Sequence, residues 1–131
     1  MKARDLRIGN WVRIKNILTT SECQVESIGS LQQAAGQLWS IEELEPIPLT
    51  EEWLERFKFN QFDDSDFFIP LGSDKSLILM NVRGYWYPRI QQEAEMSHQY
   101  IQEVNLNYIK HVHQLQNLYF ALTGEELTIK E

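Results

Sequence analysis

The sequence predicts an α+β protein, and three observations carry that prediction. The first forty residues break into short alternating stretches separated by Ser, Thr and Gly, residues 66–91 hold three longer strand-like runs with turn residues between them, and Tyr108–Leu122 carries a helical apolar arc. The expected architecture is a small N-terminal antiparallel sheet, with an SH3-like curl among its options, followed by a proline-rich connector and a short helix. An antiparallel meander packed on a C-terminal amphipathic helix completes it. The expected division is a small β lobe over 1–49 and an α+β lobe over 50–131, acting as one cooperative unit, since 131 residues amount to one domain.

Taken in order, Gly9-Asn10 supplies a turn, and the residues after it alternate with the period of two that a strand requires. Val12 and Ile14 point one way; Trp11, Arg13 and Lys15 point the other. A second strand is expected over Glu22–Ile28, with Cys23 and Val25 inward, and a third over Gln37–Ile41. Glu45-Pro46-Ile47-Pro48-Leu49 is a stiff extended connector, because each proline removes a donor and pushes its predecessor out of helical geometry. Thr50 then offers an N-cap, Glu51 and Glu52 suit the positive end of a helix dipole, and Trp53, Leu54 and Phe57 form a stripe.

Asp66–Leu71, Ser76–Val82 and Tyr85–Gln91 read as consecutive strands with turns at Gly72-Ser73-Asp74 and Arg83-Gly84. Leu77-Ile78-Leu79-Met80 is apolar on both faces, as a central strand is. His98–Val104 reads as a further strand, with Glu93–Met96 a helical turn as the alternative. In the final helix Tyr108, Ile109, Val112, Leu115, Leu118, Tyr119 and Leu122 share an arc, Asn107 is the expected cap and Gly124 the expected left-handed stop.

Composition narrows the function classes. The net charge of -7 is concentrated between Ser40 and Asp66, where nine acids face two bases, while the first fifteen residues hold five bases against one acid. An acidic chain repels a phosphate backbone, which disfavours nonspecific nucleic-acid binding but leaves a local basic patch near the N-terminus. No apolar run reaches the length of a membrane span, no secretion signal is visible, and the single Cys23 forbids an internal disulfide. These features predict a soluble, cytoplasmic protein.

Three blocks carry a resemblance: Met1–Val12 (MKARDLRIGNWV), Glu45–Leu54 (EPIPLTEEWL) and Val112–Leu127 (VHQLQNLYFALTGEEL). Together they resemble an uncharacterised family of short proteins from Bacteroides-type gut bacteria and their phages. The resemblance implies a phage- or mobile-element-associated setting, and it brings no activity, cofactor or site residue. The stretch from Asn60 to Asn107 lies outside it.

Several side-chain groups suggest chemistry. His111 and His113 have the spacing of a zinc pair, but two residues apart on a helix the rings diverge by about 200°; His111 falls inside the apolar arc, as a core histidine would. Asp63, Asp64 and Asp66 could seat a hard cation but lack the spacing of a calcium loop and fit a charged turn better. No phosphate loop, nucleophile elbow or Cys-x-x-Cys occurs, and Cys23 reads as an inert buried thiol. No cofactor is implied.

Two strands carry candidate recognition residues. Tyr85, Tyr87 and Arg89 share one face of a strand and Trp86 and Ile90 the other; one of the two faces must be core, and the tyrosine face could be a recognition surface, since tyrosine combines contact area with a polar tip. Trp11, Arg13 and Lys15 combine an indole with two cations, suited to a carboxylate or phosphate. The competing account is that each set is covered within the fold.

The leading expectation is a noncatalytic binding or adaptor module whose partner is a protein, homo-oligomerisation being open. The alternatives are a small metal-dependent hydrolase or nuclease using His98, His111 or His113 with the acidic loop, and an acidic inhibitor of a host nucleic-acid enzyme. The latter needs the carboxylates of Glu42–Asp66 in a spaced surface array.

Overall fold

The computed structural model of the chain describes residues 6–15, 20–25, 44–61, 63–72, 74–93 and 100–129. In chain order the elements are β1 (Trp11–Lys15), β2 (Thr20–Gln24), β3 (Leu44–Glu45), α1 (Glu51–Arg56), β4 (Asn60–Gln61), β5 (Asp66–Pro70), β6 (Lys75–Val82), β7 (Tyr85–Glu93), β8 (Tyr100–Asn105) and α2 (Val112–Thr123). The fold is α+β, as predicted. Two compact units result, one of Met1–Pro48 with His111–Glu126, the other of Leu49–Lys110 with Leu127–Glu131.

In the first unit three antiparallel strands lie in the order β2-β1-β3. Val12, almost wholly buried, pairs with Cys23, so the predicted alternation sets the inward face. β2 begins at Thr20, two residues ahead of the expected start, because its ladder runs to Lys15 at the end of β1. Its ladder is continued by Val25, which is buried and exchanges backbone bonds with Gly9 and Asn10. The strand expected over Gln37–Ile41 lies outside the described residues. β3 is instead formed by Leu44 and Glu45, opposite Ile14 and Arg13, so the connector begins one residue later than expected.

α2 starts four residues later than the apolar periodicity indicates. Ile109 and His111 are extended and bridge to Trp86 and Pro48, so Tyr108–Lys110 is not helical and Asn107 is not the cap. His111 is the N-cap, and its N–H donates to the Gln114 side chain at 3.0 Å. Gly124 ends the helix at φ 75, as expected of a residue with no Cβ penalty there. Val112 and Leu115 are fully buried, whereas Leu122 is exposed, so the arc is narrower than predicted. The helix belongs to the first unit, not to the 50–131 lobe in which the sequence reading put it. The reason is polar: Gln116 and Asn117 hold the Arg7–Trp11 turn through side-chain hydrogen bonds.

In the second unit the Thr50 hydroxyl accepts from the Trp53 N–H and caps α1, which buries Trp53 and Leu54, with Phe57 buried just past its end. The Arg56 guanidinium lies 4.0 Å over the Trp53 ring. Lys58, at φ 69, turns the chain out of the helix into β4, a two-residue strand that the sequence did not announce. The sheet is an antiparallel meander ordered β4-β5-β6-β7-β8. Its middle strand β6 buries Leu77, Ile78 and Leu79 in succession, the two-faced burial predicted for this run, but Met80, the fourth residue of the prediction, is exposed because the covered part of that face ends at Ile78. Trp86 is the largest fully buried side chain; it meets Phe67 edge-on at 5.8 Å and donates its indole N–H to the Leu49 carbonyl at 2.9 Å. No helix among the described residues is long and apolar enough to cross a membrane.

Candidate recognition face

The position of Trp86 fixes what surrounds it. Because Trp86 faces inward, its neighbours Tyr85 and Tyr87 must face outward, and both are exposed. Across β6 the register sets Val82 opposite Tyr85 and Met80 opposite Tyr87. On the other side Trp86 bridges antiparallel to Ile109, so Lys110 falls opposite Tyr85 and Tyr108 opposite Tyr87.

Three parallel rows of two side chains result. Met80, Val82, Tyr85, Tyr87 and Tyr108 are 36–46% exposed, and Lys110 is exposed as well. The rings of Tyr85 and Tyr108 meet edge-on at 4.8 Å and those of Tyr87 and Tyr108 at 5.9 Å. The Lys110 ammonium stands 4.6 Å from the Tyr85 ring centroid and 5.7 Å from that of Tyr108. Arg89 lies further along the same face of β7, half-buried, with its guanidinium 3.3 Å from Glu103.

Tyr85, Tyr87 and Arg89 were legible from alternation alone; Tyr108 and Lys110 were missed because their segment was assigned to the helix. The sequence holds a signal for them. Tyr108-Ile109-Lys110 also alternates, and an extended reading would have put Tyr108 and Lys110 on one face.

The other candidate strand is arranged differently. Trp11 and Arg13 are half-buried, and the side chain of Lys15 lies outside the described residues. Arg13 is flanked by Glu22 on β2 and Glu45 on β3, so one cation sits between two carboxylate-bearing neighbours. That balance lowers the pull of this face on an anion.

A third cluster, invisible to the sequence reading, is built around Arg7. Its Nε donates to Asn117 Oδ1 at 2.8 Å, one terminal nitrogen pairs with Glu126 and the other reaches the Gln116 carbonyl at 3.2 Å. The guanidinium also covers the Phe120 ring at 4.3 Å. Asn10 and Gln116 are fully buried inside the same network. These bonds make a clasp between the Gly9-Asn10 turn and α2.

The remaining candidates resolve into structure. The rings of His111 and His113 do not diverge but stack at 5.8 Å with 11° between planes, because His111 is an extended cap residue. His111 is half-buried and His113 is the buried member, the reverse of the expected core assignment. His98 lies outside the described residues. Asp63 Oδ1 accepts the N–H groups of Ser65 and Asp66, both at 2.9 Å, and these bonds, Ser65's foremost, hold its carboxyl below the usual range. Among the described residues no group of three or more His, Cys, Asp or Glu is placed to hold a metal ion. Cys23 is half-buried rather than fully buried.

No protein-family model, curated protein or solved structure matches this chain.

Proposed function

We propose that the protein is a noncatalytic binding or adaptor module that recognises a protein partner through the face made by Tyr85, Tyr87, Tyr108 and Lys110. The observation that carries this is the contiguity of the exposed side chains. Single exposed apolar residues are ordinary on any surface, but a register that assembles three tyrosines, a methionine, a valine and a lysine into adjacent rows is a patch. Tyrosine and methionine are the residue types enriched where protein surfaces meet. Supporting a cytoplasmic setting is the lone cysteine, which can form no internal disulfide; the three-block resemblance supports a Bacteroides-type bacterial or phage source.

The test is affinity capture from lysate of the source organism, with the wild-type protein and a Tyr87→Ser, Tyr108→Ser double variant as parallel baits. A partner retained by the first and depleted about tenfold or more by the second is the expected result. Unchanged near-ultraviolet circular dichroism from Trp86 verifies that the variant is folded. Equal capture by both baits overturns the proposal.

A further inference from the structure

Resting on the face just described, we infer that its occupant is a short basic segment of the partner protein, with an arginine seated on the ring of Tyr87. Size sets the first limit. At about 150–250 Å² per large side chain, exposures of 36–46% over five residues leave on the order of 400 Å² of the patch accessible. A standard interface between folded proteins takes about 800 Å² from each side, so the patch suits a short segment better than a second folded surface.

The rings set the second limit. Tyr108 stands edge-on to both Tyr85 and Tyr87, at 4.8 and 5.9 Å, so two similar ring pairs lie side by side. The Tyr85 pair already holds a cation, the Lys110 ammonium, 4.6 Å from one centroid and 5.7 Å from the other. Among the described residues no cation lies over Tyr87, which is exposed beside the equally exposed Met80. The face of a tyrosine ring is the negative end of its quadrupole and attracts a cation. Arginine suits this seat, because its planar, weakly hydrated guanidinium stacks on the ring while its edge donates to a tyrosine hydroxyl.

Charge sets the third. The cations of this face and its margins are Lys110, Arg83 in the turn between β6 and β7, and Arg89, which is paired with Glu103. Against them stand Glu103, Asp66 opposite Met80, and the exposed Asp63 and Asp64, in the turn whose Ser65 carbonyl accepts the Asn81 N–H. Three cations and four carboxylates leave the region at -1, and residues 49–110 as a whole hold ten acids against six bases. The row that carries Tyr87 runs through Met80 to Asp66, two strands and roughly 10 Å away, so a cation on that ring has a carboxylate at the end of its own row. A basic segment is therefore drawn by the whole molecule and by this face alike. An acidic segment is repelled by both, and so is a single-stranded nucleic acid, although its bases also stack on aromatic rings.

The test uses the full chain, labelled with nitrogen-15, and four probes: an octapeptide alternating arginine and serine, its citrulline–serine and aspartate–serine counterparts, and a thymidine octanucleotide. Citrulline keeps the shape of arginine and removes its charge. The arginine peptide is expected to shift the amides of Met80, Tyr85, Tyr87 and Tyr108, with affinity reduced about two- to fivefold by Tyr87→Leu and restored by Tyr87→Phe, which keeps the ring. Asp63→Asn with Asp64→Asn is expected to weaken it up to about fivefold, and added salt to weaken it as well. Binding of the citrulline or aspartate peptide as tight as that of the arginine peptide overturns the basic specificity while leaving the recognition face standing. Arginine binding that Tyr87→Leu leaves unchanged overturns the seat on that ring. Tighter binding of the oligonucleotide overturns the assignment to a protein partner. If the arginine peptide moves none of these amides the inference falls, and capture with the Tyr87→Ser, Tyr108→Ser variant decides the face by itself.

Discussion

Gln116 satisfies two backbone groups with one amide. Its Oε1 accepts the Trp11 N–H at 2.8 Å and its Nε2 donates to the Gly9 carbonyl at 2.9 Å, while the side chain is wholly buried. Gln116→Leu keeps the bulk and removes both bonds. The Gly9 carbonyl keeps the Gln24 Nε2 donor at 2.8 Å, so the loss falls mainly on the Trp11 N–H, and since a buried group left unpaired costs about 1–3 kcal/mol, that is the expected loss. Urea denaturation with a loss under about 1 kcal/mol would show that water or a neighbour replaces the amide. Leu115→Ala, one residue away and equally buried, is expected to cost about 2–5 kcal/mol by emptying a packed site.

Asp63 gives a pH-dependent counterpart. The N–H groups of Ser65 and Asp66 favour its charged form, so its folded value lies below the ordinary 3.8. A depressed folded value means that the turn's contribution is present above the unfolded value and is lost as pH falls through the folded one. Carbon-13 titration of the side-chain carboxyl should give a midpoint below 3.8, and Asp63→Ala should remove that part of the acid sensitivity. A midpoint at or above the ordinary value would refute it.

At the scale of elements, local chemistry was readable where it is self-contained. The Thr50 cap, the buried Trp53, Leu54 and Phe57, the two-faced burial of β6 and the Gly124 stop all follow from residues within a few positions of one another. Thr50→Ala should accordingly destabilise the protein by about 1 kcal/mol, within 0.5–2, and a thermal scan showing no change would mean that α1 is held by packing alone. What could not be read depends on residues far apart in the chain. Tyr108–Lys110 has a helical apolar period, yet Ile109 pairs with Trp86 and the extended conformation wins because those backbone bonds exist only in the folded sheet. The Arg7 clasp joins residues more than 100 positions apart, a pairing that no local pattern encodes. The tyrosine face was half legible for the same reason: β7 supplied its own alternation, and the third row came from the misassigned segment.

On the scale of the whole molecule, the first unit is discontinuous, interrupted by residues 49–110. Its two edges at the interruption meet: Pro48 bridges to His111, and Val112 donates to the Ile47 carbonyl at 2.9 Å. The inserted segment closes as well, with the Leu49 N–H bonded to the Lys110 carbonyl at 2.8 Å. Replacing 49–110 with a linker of about four Gly and Ser residues, with the chain ended at Glu126, should therefore leave a folded first unit. Circular dichroism should retain the signal of α2, and a dispersed amide spectrum should include Gln116. An unfolded product would show that the first unit depends on the insert. A fragment of residues 1–48 alone should not fold, because it lacks the side chains that hold Arg7 and Asn10. A segment whose ends touch is also exchangeable as one piece, because its two junctions lie side by side. Tyr85, Tyr87, Tyr108 and Lys110 all ride on that segment. Its two junctions, at Pro48 and His111, are where such an exchange is made.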